Sequence, residues 1–342
     1  MELNDFKNQI KSGRVTGAYI FAGDEEYLKR YYLGTLRKAV ASDPAFAVFN
    51  YQTFDGDKPD LSALAEAIKA PPMMADLKLV EWRHADFNAM KDKELDALEE
   101  LISLTKEYTY SILAFTSSPE GFDFGSGKRP SKLLTRLGKC AQILRFDRST
   151  DNQLYSWLKK HFDSHGLAVT LDTLRALLFR SGHSMDVLAG EVEKLSAMAK
   201  ARGATEVTPR DVEEIASSTP ECDTFALTNA IGDRSKTGAF LALEELKHKR
   251  TDPGMVLGMI ARSFDDMLAV AGLLDEGRNA NDIASLLGMN PYKVSICTAA
   301  AKRYGLPALA ATVSELARVD AGSKFGGVTG YTAIELFIAK NI

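Results

Sequence analysis

The first 147 residues alternate short apolar runs with segments in which apolar residues recur every three or four positions. The short runs predict strands, and the recurring positions predict amphipathic helices, as at Leu61, Leu64 and Ile68. Predicted strands cover residues 18–22, 47–54, 77–82, 110–115 and 142–146. Because strands and helices alternate, we expect a parallel sheet that is covered by helices on both faces.

Residues 148–342 show only the helical pattern. Within 148–216 the apolar residues form three successive helical faces, and Thr208 followed by Pro209 marks the start of a further helix. Beyond residue 217, Gly, Pro and Asp residues separate helices predicted at 225–231, 239–246, 255–274, 280–287, 293–303, 308–317 and 332–339. The pattern therefore predicts an α/β domain at 1–147, a small helical domain at 148–216 and a second helical domain at 217–342.

A proline pair ends the helix predicted around residue 65. Pro71 and Pro72 lack a backbone N–H, and the first of them disfavours helical dihedral angles in the residue before it. The strand predicted at 77–82 follows at once, so Met73 and Met74 occupy a rigid corner. Methionine is flexible and polarizable and recurs on surfaces that dock into another protein, but most large apolar side chains lie in the core. Both locations stay open on the residues alone.

The composition is that of an ordinary globular protein, with 342 residues of which 45% are hydrophobic and 26% are charged. This length predicts two or three domains. A net charge of −4 does not favour binding of nucleic acid through overall basic charge, although one basic face is allowed. Cys140, Cys222 and Cys297 are far apart and odd in number, so neither a disulfide framework nor a zinc site is indicated.

The chain shows no pattern of a targeting or membrane segment. Its N-terminus lacks a basic region followed by an apolar one, and no uninterrupted apolar run reaches membrane-spanning length. We therefore expect a cytoplasmic protein without membrane contact.

The turn after the first predicted strand is where a nucleotide-binding domain of this class carries its phosphate loop. That loop needs the pattern G-x-x-x-x-G-K-[ST], whereas the chain has Gly23-Asp24-Glu25-Glu26 there. Carboxylates thus occupy a helix N-terminus at which a phosphate would otherwise bind. A second glycine-rich stretch, residues 121–128, is one residue too long and is followed by Arg129. We expect neither nucleotide binding nor ATP hydrolysis.

No other catalytic or cofactor-binding pattern is present. His161 and His165 are four residues apart on a predicted helix, but they lack the adjacent glutamate of a zinc-protease motif, and His161 falls on the apolar face. There is no nucleophile elbow and no cysteine–histidine pair in context. The sequence therefore predicts no catalytic residues, no metal site and no cofactor, which leaves binding as the function to explain.

Two segments carry binding signals. The first, residues 128–148, is rich in basic residues, which are Lys128, Arg129, Lys132, Arg136, Lys139, Arg145 and Arg148. Lys132, Arg136 and Lys139 share one helical face, which is either a solvated surface or a contact for nucleic-acid phosphates. The second, residues 281–294, resembles a helix-turn-helix. Its second helix begins without a set of Asn, Gln or Arg residues for reading bases, so packing within a helical domain is the simpler interpretation.

Several short motifs follow one another over nearly the whole chain, and each alone is weak. They are residues 21–28 (FAGDEEYL), 72–80 (PMMADLKLV), 191–195 (EVEKL), 207–212 (VTPRDV), 224–231 (TFALTNAI) and 287–294 (LGMNPYKV). In this order and spacing the chain resembles the delta-subunit family of bacterial DNA polymerase III clamp loaders.

The resemblance implies an AAA+-like architecture, with a parallel-sheet α/β domain, a small helical lid-like domain and a C-terminal helical collar. It implies a subunit that does not hydrolyse ATP and that binds the sliding clamp, the beta subunit, and opens its ring for loading onto primed DNA. Met73 and Met74 fall on the family's two apolar wedge positions, which are often Leu and Phe, and Pro72 and Leu77 lie beside them. The chain lacks a Ser-Arg-Cys motif, so no arginine finger is assigned.

The resemblance also implies further partners. Other loader subunits would bind through the collar, and primer-template DNA would contact the assembled complex, with Lys132, Arg136 and Lys139 as candidate residues. Classified by its complex, the chain would be a subunit of a DNA-directed DNA polymerase, a nucleotidyltransferase. Two other classes stay open, namely an AAA+-type NTPase with a divergent nucleotide site and a helix-turn-helix DNA-binding regulator.

Overall fold

A computed structural model describes residues 1–40, 45–57, 60–126 and 129–341. The chain forms two compact units, Met1–Ser149 and Thr150–Ile342. A further division of the helical part into 148–216 and 217–342 stays a prediction.

The first unit is built on a parallel sheet, as the alternating pattern predicts. Its helices are α1 (Leu3–Lys11), α2 (Glu26–Val40), α3 (Ala47–Asn50), α4 (Leu61–Lys69), α5 (Asp92–Glu107) and α6 (Lys132–Leu137). Its strands are β1 (Ala18–Ala22), β2 (Tyr51–Asp55), β3 (Lys78–Arg83), β4 (Ser111–Ser117), the short antiparallel pair β5 (Gly125–Ser126) and β6 (Arg129–Pro130), and β7 (Gln142–Arg145).

Five strands form the main sheet in the order β2-β3-β4-β1-β7, and every neighbouring pair is parallel. Ile20 of β1 lies opposite Phe115 of β4 and Ile143 of β7. One apolar cluster packs α4, α5 and α6 against one face, and a second cluster packs α1 and α2 against the other. Because both faces are covered, β1 is buried along its whole length. This explains why it appears in the sequence as a continuous apolar run.

The strand predicted at 47–54 is wrong in its first half. Residues Ala47–Asn50 form the short helix α3, and β2 begins only at Tyr51. The side chains of Val48 and Phe49 are largely exposed, so their apolar character does not mark a buried strand. The apolar run in the sequence therefore spans two elements, the helix α3 and the strand β2.

The second unit is helical, which confirms the pattern beyond residue 148. Its helices are α7 (Asp151–Ser164), α8 (Leu171–Ser181), α9 (Met185–Ala201), α10 (Pro209–Ile215), α11 (Pro220–Gly232), α12 (Lys236–His248), α13 (Pro253–Asp275), α14 (Ala280–Leu287), α15 (Pro291–Tyr304), α16 (Leu306–Lys324) and α17 (Gly330–Asn341). Two short strands, β8 (Ala168–Val169) and β9 (Glu206–Val207), pair in parallel beside them.

Helix α13 lies at the centre of the apolar cluster formed by the later helices. The Phe264 ring packs edge to face against Tyr304 of α15, at 5.4 Å between centroids, and against Phe337 of α17, at 6.3 Å. Such aromatic pairs bury large apolar area and fix the helices that carry them. Among the described helices, none combines the length and apolar character that a membrane span requires.

Candidate functional site

A sharp corner connects α4 to β3 and presents two methionines to solvent. Met73 is 46% exposed and Met74 is 79% exposed. Neither side chain fills the core. The sequence leaves two locations open, the core and the surface, and the structure shows both methionines at the surface. Pro72 and Leu77, the other residues predicted to bind at this corner, are half-buried.

The end of α4 that leads into the corner is held in place, because its last carbonyl groups are hydrogen-bonded. The final four carbonyl groups of an α-helix have no partner within the helix. Here, side chains from β3 and from around the start of β4 donate to these groups. The bonds run from Lys78 Nζ to the oxygens of Ala67 (2.7 Å) and Ala70 (3.1 Å), from Ser111 Oγ to Ile68 (2.6 Å) and from the Tyr110 hydroxyl to Lys69 (2.5 Å). The end of α4 therefore cannot unwind without breaking its hydrogen bonds to the sheet.

Lys78 is a buried cation at the C-terminal end of a helix. Its side chain is almost completely buried, and burial lowers the pKa of its ammonium group. The negative end of the helix dipole and the two carbonyl oxygens offset part of this desolvation. Because its backbone belongs to β3 and its side chain reaches the end of α4, Lys78 ties the strand after the corner to the helix before it.

A third attachment of the corner comes from α3. The Asn50 side chain donates from Nδ2 to the Met73 carbonyl oxygen (2.8 Å), and the Met73 N–H donates to Asn50 Oδ1 (2.7 Å). The next residue, Met74, has a φ of 53°, in the left-handed region that residues other than glycine rarely adopt. Sequence reasoning missed Asn50, because the residue that it bonds lies in a different element.

In a nucleotide-binding domain of this class, the phosphate loop would precede α2. Here a cleft of about 420 Å³ lies beside α2 and the ends of β3 and β4. Lys29 of α2 is buried there and donates to the Glu26 carboxylate (2.6 Å) and to the Ser117 carbonyl oxygen (2.8 Å). Arg83 donates from Nε to the Glu81 carboxylate (2.8 Å). Both of these cations are thus bonded to oxygens of the protein itself, which are the partners that a nucleotide phosphate would have to replace.

Tyr51 completes the network on the β2 side of this cleft. Its hydroxyl bonds to the buried Glu81 carboxylate and accepts from Arg83 Nη2 (2.8 Å). Burial, followed by the bond to Glu81, raises the pKa of Tyr51, and the bond to Glu81 raises the pKa of Arg83. The carboxylate of Glu81 is therefore held between a hydroxyl and a guanidinium group.

The predicted basic face divides into two kinds of residue. Lys132 and Lys139 are exposed, but α6 ends at Leu137, so the prediction that all three residues share one helical face is wrong for Lys139. Arg136 is only 25% exposed in its side chain, and it pairs with three carboxylates of α5, which are Asp92 (3.3 Å), Asp96 and Glu99 (2.5 Å). These pairs hold α6 against α5 and use the hydrogen-bond donors that a phosphate would need. Lys128, also part of the predicted segment, lies outside the described residues.

The helix-turn-helix-like segment packs into the second unit. Gly288 adopts a left-handed φ of 62° between α14 and α15. Val294 is buried. Lys293 donates to Asp266 (2.5 Å), and Asn290 Nδ2 donates to Asp151 (2.9 Å). This arrangement agrees with packing inside a helical domain, because the polar residues at the start of the second helix already bond to the protein.

The two spaced histidines have separate neighbours. The His161 ring lies 4.3 Å from the Trp157 ring, centroid to centroid, and His165 Nε2 lies 3.1 Å from a Glu193 carboxylate oxygen. In the part of the chain that the structure describes, no group of three or more His, Cys, Asp or Glu residues is arranged to hold a metal ion.

Comparisons with known proteins agree on one family. The family model for DNA polymerase III, delta subunit, matches residues 19–135, and the model for the C-terminal domain of that subunit matches residues 221–341. The chain is similar to the DNA polymerase III subunit delta of Bacillus subtilis (strain 168), with 21% identity over 336 residues, which are 98% of this chain and 96% of that protein.

Solved structures give the corresponding result for the fold. The DNA clamp loader delta protein of Bacillus subtilis superposes with a TM-score of 0.55 and 22% identity, over 99% of each chain. The Holliday junction branch migration motor RuvB of Thermotoga maritima gives a TM-score of 0.40 and 13% identity, over 86% of this chain and 85% of that one. The likeness to the clamp loader delta protein confirms the predicted fold class in its main features, a parallel-sheet α/β domain followed by a helical part.

Replacing Lys78 should destabilise the first unit. Lys78→Met keeps a long side chain but leaves the carbonyl groups of Ala67 and Ala70 without their donor. We expect a loss of about 1–3 kcal/mol in the free energy of unfolding. Lys69→Met is the matched control, since Lys69 pairs with Glu66 at the surface. Urea denaturation of both variants measures the difference, and equal stability of Lys78→Met and the wild type would contradict the role given to this ammonium group.

The cleft beside α2 should not bind ATP, because Lys29 and Arg83 are already paired. Isothermal titration of the full chain with ATP and magnesium should show no saturable heat. A micromolar binding curve that disappeared in a Lys29→Met variant would place nucleotide in this cleft and would overturn the expectation.

Proposed function

Because the chain belongs to the DNA polymerase III delta subunit family, we propose that it binds the sliding clamp and opens the clamp ring for loading onto primed DNA during replication. In this proposal the chain is a clamp-loader subunit that does not itself hydrolyse ATP. Its binding residues are Met73 and Met74, with Pro72 and Leu77 beside them. The observation that carries the proposal is the exposure of two large apolar side chains on a corner whose backbone is fixed at both ends.

The geometry of the corner favours protein binding for two reasons. Hot spots of protein interfaces are small groups of large side chains that enter a pocket of the partner. A backbone that is already ordered loses little conformational freedom on binding, so more of the contact energy appears as affinity. Both methionines project from such a backbone. Together they can enter an apolar pocket of the clamp without prior rearrangement of the chain.

The remaining partners follow from the same proposal. Residues 217–342 would form a collar with other loader subunits, and 148–216 would form a small lid-like domain. Exposed apolar residues near the end of the chain support the collar, since Phe325 is 89% exposed and Val328 is 50% exposed. Primer-template DNA would contact Lys132 and Lys139 in the assembled complex. The place of action would be the cytoplasm.

Two other functions have less support. A divergent NTPase would need cations that are free to bind phosphate, whereas Lys29 and Arg83 bond to protein oxygens. A helix-turn-helix regulator would need an accessible second helix, whereas Lys293 is bonded to Asp266. A preferred duplex site in a selection experiment would revive the second alternative.

Truncating the two methionines should strongly weaken clamp binding and leave the fold intact. We expect the Met73→Ala/Met74→Ala variant to lose roughly 2–4 kcal/mol of affinity for the sliding clamp, as is typical of hot-spot residues. Because both side chains are exposed, its stability should change by no more than about 1 kcal/mol. Met255→Ala is the matched control, since Met255 is 53% exposed on α13. Clamp binding and thermal unfolding are measured on all three proteins. A large fall in melting temperature with clamp binding retained, or full binding with unchanged melting, would contradict the proposal.

Reversing two exposed charges should weaken the binding of DNA. Lys132→Glu/Lys139→Glu in the assembled loader should reduce the magnitude of the slope of log affinity against log salt by about 2, because each lysine that no longer neutralises a phosphate removes about one unit. Arg136 is left unchanged, because its substitution would break the pairs with α5. Lys159→Glu/Lys160→Glu on the exposed side of α7 applies the same change of charge as a control. An unchanged salt slope would favour the solvated-surface interpretation.

A further inference from the structure

Helix α3 reverses the usual distribution of apolar and polar side chains. Val48 and Phe49 are 80% and 52% exposed, whereas Asn50 is only 2% exposed. Burial of an amide side chain costs free energy unless its donor and its acceptor both find partners. The partners of the Asn50 amide are therefore the feature of this short helix to account for.

Both ends of the Asn50 amide bond to the backbone of one residue. Its Nδ2 donates to the Met73 carbonyl oxygen at 2.8 Å, and its Oδ1 accepts from the Met73 N–H at 2.7 Å. Met73 lies outside any helix or strand, so its backbone groups have no ladder of their own. The side-chain amide supplies the pair of bonds that a neighbouring strand would otherwise provide.

Met74 shows why this attachment matters. Its φ of 53° is unfavourable for a residue with a Cβ atom, and such conformations persist only where the surrounding structure holds them. The carbonyl group of Met73 belongs to the peptide unit that joins the two methionines. By fixing that carbonyl, Asn50 limits the rotation that would let Met74 relax into an ordinary conformation.

We propose that Asn50 is a positioning residue, which holds the Met73–Met74 corner in the conformation that binds the clamp. This inference rests on the clamp-binding function proposed above and extends it. Asn50 contributes through the backbone of Met73 and not through contact with the clamp. Loss of its two bonds would let the corner sample other conformations, and binding would then have to order it again.

Clamp affinity of full-length variants tests the role of Asn50. Asn50→Ala removes both bonds and should weaken clamp binding by about tenfold, which corresponds to the loss of one to two net hydrogen bonds. The same change should cause no further loss in the Met73→Ala/Met74→Ala background, because no binding side chains remain to be positioned. Asn281→Ala, at an exposed asparagine of α14, should bind like the wild type.

Asn50→Asp gives a readout that a merely structural role would not produce. A charged carboxylate still accepts from the Met73 N–H but repels the Met73 carbonyl oxygen. A protonated carboxyl group has the donor and acceptor arrangement of the amide, and burial raises the pKa of such a group. The affinity of Asn50→Asp, taken as a ratio to the wild type at each pH, should therefore rise toward one as the pH falls from about 8 to about 5. The ratio for Asn50→Ala should stay constant, and a flat ratio for Asn50→Asp would overturn the inference.

Amide hydrogen exchange separates failure of this inference from failure of the proposed function. In the free protein, Asn50→Ala should speed exchange of the Met73 N–H by about tenfold, because that N–H loses its acceptor. Unchanged exchange, or a wild-type affinity of Asn50→Ala for a clamp that the Met73→Ala/Met74→Ala variant fails to bind, would overturn the inference. A wild-type chain that did not bind the clamp would overturn the proposed function, even if the exchange result showed that Asn50 fixes the corner.

Discussion

The carbonyl oxygens at the end of a helix need hydrogen donors, and at the end of α4 that need ties the helix to the sheet. Lys78, Ser111 and Tyr110 satisfy carbonyl groups that the following prolines leave without a helical partner. The chain must then turn within a few residues and enter β3 in register with β4. Both ends of the corner are thus set by the hydrogen bonds of the sheet domain. Met73 and Met74 lie on the corner between these two fixed ends, and both side chains are exposed.

The polar residues at the strand ends of the same domain bond to one another. At the cleft beside α2, the strands end in the order expected of a parallel α/β domain, where ligands commonly bind. Lys29, Arg83 and Glu81 are present there, and each is paired with a group of the protein. These pairs hold the ends of neighbouring elements together. The pairs in this cleft therefore stabilise the domain whose corner carries the proposed binding residues.

Regular periodicity allowed most of the fold to be predicted from the sequence. The buried strands appear as apolar runs, the helices as apolar stripes, and Pro71 with Pro72 marks the corner itself. Helix α3 could not be predicted, because exposed Val48 and Phe49 give the composition of a strand. The bridge from Asn50 to Met73 could not be predicted either, since no local pattern records a contact between residues so far apart in the chain.

The pairing of Arg136 is an intermediate case. Asp92, Asp96 and Glu99 recur at intervals of four and three residues, so they form an acidic stripe on α5 that the sequence does display. A basic residue on α6 is a natural partner for such a stripe. What the sequence does not display is that α5 and α6 lie side by side, which depends on the order of the strands between them. Charge patterns therefore become informative once the topology is known.

The corner combines a rigid backbone with flexible side chains. Its backbone is anchored by α4, by β3 and by Asn50, whereas methionine is an unbranched side chain with three rotatable bonds and a polarizable sulfur. The backbone determines where the two side chains lie, and their flexibility determines how they fill a pocket. Leu or Phe at the same positions would demand a matching shape. Two methionines require only a cavity of suitable depth at the right place, so in the proposed interaction the backbone would set the accuracy of recognition.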